Sequence, residues 1–351
     1  MCKALCGVIV CAAGAASALP VSAQALRLVA SREIGDIDVT PAGLPIAADF
    51  TGVNALVTGF GVAGGFTVVQ GDTGGGTGPW SLDVSVEAEG PAGDSALFTP
   101  VGGDVTVADY PLADGVRTFL VPAASNGVWT FTFDTTASPS NWVYGLRDAS
   151  VHLLADAAKV TQTYDATPDP ATSWNRPFFI EGVSGLGPVS FDAFEFEVTE
   201  SGVYELTSVL SSGNDHFSFL YRGSFDPSLP LENLHDYGLG NGNSPFGIPR
   251  GTSFISQLLF EGETYTWVTS QWASFRPIEA TSNTIVGPGD AVAPGDDCPA
   301  DTNGDGELTP ADFNAWVIAF NAQAAECDQN GDGGCDPADF NAWVINFNAG
   351  C

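Results

Sequence analysis

Carboxylate and amide side chains recur at regular spacing near the end of this chain, and they are the residues best suited to chemistry. A twelve-residue segment occurs there twice, over residues 301–312 and 328–339, with closely related sequences. In a calcium-binding loop of this length, oxygen ligands come from positions 1, 3, 5, 7, 9 and 12. Position 6 must turn sharply, and both copies place a glycine there, Gly306 and Gly333.

Each copy fills the ligand positions with oxygen-bearing groups. The first copy would use Asp301, Asn303, Asp305, the carbonyl of Glu307, Thr309 (through water) and Asp312. The second copy would use Asp328, Asn330, Asp332, the carbonyl of Gly334, Asp336 and Asp339. A turn rich in Asp, Asn and Gly ahead of a helix would explain one such segment without a metal. Two aligned copies with every acidic position filled instead predict two calcium sites.

An apolar segment follows each loop, and its spacing predicts a helix. In both segments the large side chains fall at i, i+3, i+4 and i+7, which is one helical face: Phe313, Trp316, Val317 and Phe320, then Phe340, Trp343, Val344 and Phe347. Two such helices can bury these faces against each other as an antiparallel pair. Residues 295–299 contain Gly and Pro and are incompatible with a helix, so each EF-hand-like unit is a loop followed by one helix.

A duplicated loop–helix calcium motif of this kind resembles a dockerin, and the resemblance covers residues 298–351. The Cys-Pro-Ala-Asp opening and the Ala-Gly-Cys ending resemble the GC-flanked variants of planctomycete-type bacteria. The resemblance implies protein–protein interaction with a cohesin-like protein or surface scaffold. The module departs from cellulosomal dockerins because it has no Lys or Arg, and because Pro-Ala fills loop positions 10 and 11. The calcium ligands therefore carry over residue by residue, whereas the docking partner does not.

Four of the seven cysteines lie in this module, and they allow three disulfide connectivities. We favour Cys298–Cys351, which would join the ends of the module, and Cys327–Cys335, which would brace the second loop. A zinc site is the alternative. The spacing contains no CxxC pair and no His lies nearby, so the cysteines favour disulfides over zinc.

The first 25 residues have the pattern of a secretory signal peptide, with Lys3, an apolar run and small residues before Ala23 and Ala25. We therefore expect a secreted protein, extracellular or at the cell surface. No other stretch is apolar and long enough to predict a membrane span. The chain has 42 acidic and 10 basic residues and a net charge of −32. This charge argues against nucleic acid as a partner.

The rest of the chain predicts β-structure, in two β-sandwich or jelly-roll domains over residues 26–158 and 159–289. Alternating apolar and polar residues over 81–87 and 128–134 indicate half-buried strands, and Gly-rich turns separate them. Residues 126–134 (Asn-Gly-Val-Trp-Thr-Phe-Thr-Phe-Asp) are similar to part of the P domain of proprotein convertases, which implies a jelly roll.

The second predicted domain shows the same alternation over residues 191–198, and a further β-rich run covers residues 264–269. With residues 221–233, these runs resemble the pre-peptidase C-terminal domain, which implies a non-catalytic sandwich appended to secreted enzymes and surface proteins. Residues 290–297 form a predicted linker rich in Pro, Gly and Asp. The expected fold is therefore mainly β, two sandwiches followed by a small α-helical calcium-binding module.

Catalytic patterns are sparse. The three histidines are scattered, and Glu195 and Glu197 share the solvent face of a strand. The sequence therefore favours a non-catalytic protein. The alternative is a carbohydrate-binding accessory protein, or a hydrolase component, of extracellular polysaccharide catabolism. In that case exposed aromatic residues would stack on sugar rings, and the candidates are Trp142, Trp174 and Trp272, because Trp129 and Trp267 are expected in strand cores.

Overall fold

The computed structural model describes residues 25–40, 42–70, 84–93, 95–98, 110–111, 115–135, 143–178, 182–242, 248–294, 299–303, 308–330 and 334–349. Strands dominate these residues, and helices occur in the C-terminal part, so the expected mainly β fold is confirmed. The strands of the first half are β1 (Ala25–Val39), β2 (Leu44–Asp49), β3 (Leu56–Gln70), β4 (Val84–Glu89), β5 (Ser95–Phe98), β6 (Tyr110–Pro111), β7 (Gly115–Ala124), β8 (Val128–Thr135) and β9 (Val143–Ala157).

The second half continues with short antiparallel strands. They are β10 (Val160–Ala166), β11 (Asp169–Trp174), β12 (Pro177–Phe178), β13 (Gly182–Val183), β14 (Val189–Val198), β15 (Gly202–Leu210), β16 (His216–Arg222), β17 (Leu234–Gly240), β18 (Thr252–Leu259), β19 (Tyr265–Ser270), β20 (Thr281–Gly287) and β21 (Ala291–Val292). Two helices follow, α1 (Pro310–Ala322) and α2 (Pro337–Ala349), with a short 3-10 turn at Ala325–Cys327. In the described part of the chain, no helix has the length and apolar character needed to cross a membrane.

The first core lies between the β1-β9-β3 part of a nine-stranded sheet and a four-stranded sheet in the order β2-β8-β4-β5. The alternation predicted for β8 is present, because Trp129, Phe131 and Phe133 are fully buried while Val128 is exposed. Phe131 meets Phe60 of β3 with ring centroids 6.0 Å apart. These aromatic side chains fill the space between the two sheets, as period-two patterning requires.

The second core lies between β10, β20, β15 and β18 on one side and the sheet β11-β14-β19-β16-β17 on the other. Leu206, Leu220 and Trp267 are fully buried in it. The opposite face of the second sheet is also covered, by a separate cluster around Trp174 and Phe217. Strand β16 is therefore buried on both faces, and only its last residue is exposed.

Strand β1 joins the two halves of the chain. Its first residues pair with β15, through Leu26↔Val203 and Arg27↔Gly202, and the remainder pairs with β9. A Cβ at position 202 would collide with the carbonyl oxygen of Leu26 and with the ring of Pro288, so only glycine permits this close approach. The nine-stranded sheet consequently runs through both halves.

The two helices form a separate C-terminal core. Trp316 and Trp343 are 5% and 6% exposed, and they pack with Ala300 and with the predicted helix-face residues Val317, Phe320, Val344 and Phe347. The rings of Phe313 and Phe340 contact each other, with centroids 6.0 Å apart. Both side chains remain partly exposed, because they lie in the first turn of each helix at the edge of the pair. The expected aromatic faces therefore meet, with their N-terminal ends open to solvent.

Replacing Phe131 by Ala tests the first core. We expect a loss of about 3–5 kcal/mol in the free energy of unfolding, because the cavity between the two sheets cannot close. Val128→Ala, on the solvent side of the same strand, should cost no more than about 0.5 kcal/mol. Denaturant unfolding followed by tryptophan fluorescence measures both. Equal costs for the two variants would contradict the assignment of β8 to the sandwich core.

Candidate functional site

The junction between the first loop and α1 brings loop positions 9 and 12 together. Thr309 is the N-cap of the helix in an extended conformation, and its Oγ1 accepts the N–H of Ala311 at 3.1 Å. The N–H of Thr309 in turn donates to Oδ2 of Asp312 at 2.7 Å. This reciprocal capping box satisfies backbone donors that the first helical turn leaves without partners. Pro310, which lacks an N–H, occupies the first helical position.

The same Asp312 also reaches back to the start of its loop. It is fully buried, and its Oδ1 accepts the N–H of Asn303 at 3.3 Å. Burial raises the pKa of Asp312, but the hydrogen bonds that the N–H groups of Thr309 and Asn303 donate to its carboxylate outweigh burial and lower the pKa. Two of the predicted ligand residues of this loop, at positions 3 and 9, therefore donate to the carboxylate of a third at position 12.

The second copy repeats the arrangement. Asp339 is fully buried, and its Oδ2 accepts the N–H of Asp336 at 2.7 Å. Its Oδ1 accepts the N–H groups of Gln329 and Asn330 at 3.0 and 3.3 Å. The hydrogen bond from the N–H of Asp336 is the main cause that lowers the pKa of Asp339 below its ordinary value. At position 9, Asp336 accepts the N–H of Ala338 at 2.7 Å, as Thr309 does in the first copy.

Most of the predicted calcium ligands lie in the described part of the chain. They are Asp301, Asn303, Thr309, Asp312, Asp328, Asn330, Gly334, Asp336 and Asp339. Asp305, Glu307 and Asp332 lie outside the described residues. Among the residues that are described, no three His, Cys, Asp or Glu side chains group closely enough to hold a metal ion. The set is made of oxygen ligands rich in carboxylates, and its chemistry fits a hard cation such as calcium.

Each helix is hydrogen-bonded, through a tryptophan side chain, to the residue that precedes the other helix's loop. The indole N–H of Trp316 on α1 donates to the carbonyl of Cys327, the residue before the second loop, at 3.2 Å. The indole N–H of Trp343 on α2 donates to the carbonyl of Ala300, the residue before the first loop, also at 3.2 Å. The sequence alone did not predict this exchange, although the equivalent positions of the two Trp residues were a signal for it. A buried indole N–H usually has such a partner.

A disulfide closes the second loop. Cys327 and Cys335 are bonded, with their Cα atoms 5.7 Å apart, and this is the pairing that the sequence favoured. The bond links the residue before loop position 1 to position 8. The equivalent of Cys335 in the first loop is Leu308, which packs against the Trp316–Trp343 core instead. Cys298 and Cys351 lie outside the described residues.

Two of the three tryptophans proposed to stack on sugars are now placed. Trp174 is only 2% exposed, so the expectation that it is a surface residue is wrong. Its ring packs edge-on against the rings of Phe191, Phe219 and Phe225, with centroids 5.4–5.5 Å apart. These residues are distant in the sequence, so no local pattern predicts the cluster. Trp272 is half-buried and stacks flat on Phe217 at 5.0 Å. Trp142 lies outside the described residues, while Trp129 and Trp267 are fully buried, as expected.

The histidines are enclosed in the β-rich part. His152 lies between the hydroxyls of Ser31 and Ser150, at 2.6 and 3.0 Å from its ring nitrogens. His216 pairs with the Ser208 hydroxyl at 2.8 Å, and burial lowers the pKa of its imidazole to about 4. At neutral pH the His216 ring is therefore uncharged, as its location between two sheets requires.

No protein-family model matches this chain, and no curated protein matches it. Solved structures with similar features include the tandem CBM22 domain of a Paenibacillus barcinonensis protein (12% identity, 78% of this chain and 99% of that chain, TM-score 0.23). The tandem CBM51 modules of a family 98 glycoside hydrolase from Streptococcus pneumoniae give 11% identity, 74% and 84% coverage and a TM-score of 0.21. A triple jelly roll protein of an archaeal virus gives 7% identity, 74% and 60% coverage and a TM-score of 0.21. TM-scores this low do not establish a common fold.

Acid should weaken the Asp339 contacts. Its folded-state pKa lies below the unfolded value near 3.8, so its carboxylate stabilises the module above that value and the stabilisation is lost as pH falls. In EDTA, we expect Asp339→Asn to reduce the helical circular dichroism at neutral pH. The difference from the wild type should shrink as pH falls below 3.8.

Glu326→Gln, which removes an exposed carboxylate from the same module, serves as the control and should leave the helical signal unchanged at every pH. A wild-type advantage that stayed constant from neutral to acid pH would show that the Asp339 charge does not support the loop.

Proposed function

We propose that residues 298–351 form a dockerin-like module that binds two calcium ions and attaches an exported, β-rich protein to a cohesin-type scaffold or cell surface. The observation that carries this proposal is the repeated buried carboxylate at loop position 12. In both copies it collects N–H groups from the loop start and from position 9. These hydrogen bonds hold loop positions 3, 9 and 12 near one another, and a calcium loop must bring its ligand positions together in this way.

The charge of the module supports the same role. Between residues 298 and 351 there are nine Asp or Glu residues and no Lys or Arg. Their mutual repulsion opposes folding, and the small aromatic core has little apolar area with which to offset it. Two divalent cations bound by Asp301, Asp312, Asp328, Asp339 and their partners would neutralise part of this charge. Calcium binding would then be coupled to the stability of the loops.

An apolar surface on the two helices is available for a partner. Ile318 on α1 and Ile345 on α2 occupy equivalent positions and are 69% and 67% exposed, although their neighbours Trp316 and Trp343 are buried. Duplicated exposed isoleucines have no role in the module core. Single exposed apolar side chains are common on protein surfaces, but the repetition of this exposure at equivalent positions of both helices leads us to assign Ile318 and Ile345 to docking.

Carbohydrate binding through stacked tryptophans has less support. Trp174 is buried, and the flat face of Trp272 is covered by Phe217 on one side and faces the Arg176 guanidinium at 4.8 Å. A role of the β-rich part in polysaccharide breakdown would need a different site. In the proposed function the β-rich part is the cargo, and the C-terminal module is the attachment.

Calcium titration tests the ligands. We expect isothermal titration calorimetry to show two calcium ions bound by the wild type and none by Asp301→Ala/Asp328→Ala, because each loop loses its position 1 carboxylate. The matched control is Glu195→Ala/Glu232→Ala, which removes two exposed carboxylates from the β-rich part and should still bind two ions. Two ions bound by the Asp301→Ala/Asp328→Ala variant would refute the ligand assignment.

Docking can be separated from calcium binding. Ile318→Glu/Ile345→Glu should still bind two calcium ions but should capture about tenfold less cohesin-type protein from the envelope of the producing organism, because a charge replaces the apolar contact. The assay is a pull-down with the immobilised full chain, with and without EDTA, followed by mass spectrometry. Leu56→Glu/Leu229→Glu, at exposed positions of the β-rich part, is the control. Capture that survives EDTA or the double Ile substitution would count against the docking assignment.

A further inference from the structure

A cleft of about 640 Å³ lies between the two halves of the β-rich part. One wall comes from β1, β3 and β9 and includes Glu33, Arg147 and Asp148. The other wall comes from the second sandwich and includes Arg222 and Phe260. The volume is within the range of small-molecule sites in proteins, about 300–1,000 Å³. The cleft lies outside the C-terminal module, so the proposed calcium-dependent attachment gives it no role.

The floor of the cleft is backbone rather than side chain. Three neighbouring strands lose their regular register at the same level, around Gly35 in β1, Gly64 in β3 and Asp148 in β9. All three residues have positive φ, at 69°, 148° and 48°. Asp148 is a non-glycine residue in this conformation within a strand, which costs energy, and strained residues of this kind cluster at functional sites. Coincident bulges of this kind open a depression in the sheet.

The floor is also lined by residues with little or no side chain. They are Gly35, Ala63, Gly64, Gly65 and Ala149. A Cβ at Gly64 would come within 3.0 Å of the Arg147 carbonyl oxygen, so a larger residue at this position would have to displace the floor. A Cβ at Gly35 would meet nothing within 4 Å. The absence of side chains lets a ligand approach the backbone closely.

The two arginines of the walls are held in place by acidic residues outside the cleft lining. Arg147 pairs with Asp38 at 2.8 Å and donates to the carbonyl of Ile37 at 3.1 Å. Arg222 makes two hydrogen bonds to Glu263, at 2.5 and 2.6 Å. Both guanidinium groups are thus oriented before any ligand arrives, and their charges are already balanced.

Phe260 supplies the apolar surface of the cleft. Its ring is half-buried and lies 5.4 Å from the Arg222 guanidinium and 5.5 Å from the ring of His152. These contacts fix the ring in place while part of it remains accessible. A fixed aromatic ring beside oriented polar groups is the usual composition of a small-molecule site.

We propose that this cleft binds a neutral oligosaccharide. The exposed carboxylates of Glu33 and Asp148 can accept hydrogen bonds, and Arg147 and Arg222 carry donors. Sugar hydroxyls both donate and accept, and the C–H face of a pyranose ring is apolar enough to pack on Phe260. An anionic ligand would be repelled by Glu33 and Asp148, because both arginines are already paired. An apolar ligand would bury charged groups without partners, which is costly.

Binding of neutral trisaccharides to the full chain tests this proposal. The probes are xylotriose, cellotriose, mannotriose and laminaritriose, with trigalacturonate as the anionic comparison, and binding is measured by calorimetry. We expect at least one neutral trisaccharide to bind, and to bind more tightly than trigalacturonate. Asp148→Gly removes the carboxylate, and glycine tolerates the positive φ of this position. Phe260→Leu removes the aromatic ring but keeps an apolar side chain. Each should weaken binding about tenfold or more, which corresponds to about 1.4 kcal/mol.

Glu195→Ala and Phe275→Leu change an exposed carboxylate and an exposed ring outside the cleft, and each should keep the wild-type affinity. Unchanged thermal unfolding verifies that the cleft variants fold. Binding should also be insensitive to EDTA and to Asp301→Ala/Asp328→Ala, which separates this proposal from the calcium-dependent function. The proposal is overturned if no neutral trisaccharide binds, if trigalacturonate binds best, or if folded cleft variants keep the wild-type affinity.

Discussion

The C-terminal module depends on an exchange of hydrogen bonds between its two halves. Trp316 of α1 donates to Cys327 at the entry of the second loop, and Trp343 of α2 donates to Ala300 at the entry of the first. A core this small offers little burial energy, so the position of each loop must come from directed contacts as well as from packing. The tryptophan of each helix is hydrogen-bonded to the residue that precedes the other helix's loop. Each loop–helix unit therefore needs the second unit to position its loop.

The buried carboxylates impose the second constraint. Asp312 and Asp339 are removed from solvent in a segment without a single basic side chain, which is unfavourable unless their charges are compensated. Backbone N–H groups supply that compensation within the protein, and they do so by drawing the start of each loop towards its end. The same closure that satisfies these carboxylates prepares the loops for the calcium ions that we propose. The closure of the loops and the proposed calcium binding therefore rest on the same residues.

The β-rich part is organised by a different constraint, the continuity of one sheet through both of its halves. Strand β1 begins beside β15 and continues beside β9, which ties the two sandwiches together and leaves a cleft where their surfaces diverge. The bulges at Gly35, Gly64 and Asp148 lie at this divergence. The cleft and the calcium loops involve separate residues, so the proposed saccharide binding and the proposed attachment do not compete for the same side chains.

The sequence by itself determined the features that arise from local spacing. Alternation predicted β8, and Trp129 and Trp267 were expected in strand cores. The i, i+3, i+4, i+7 pattern predicted α1 and α2, and the positions of Cys327 and Cys335 at the second loop favoured their pairing. The ligand pattern of the two loops is also a property of the sequence, and the calcium ions remain a prediction. Only the tertiary structure decided that Trp174 is buried, that the two helices exchange indole hydrogen bonds, and that a cleft opens between β3 and Phe260. These features depend on which distant strands and loops become neighbours, and that choice is made by burial over the whole chain, which no local pattern records.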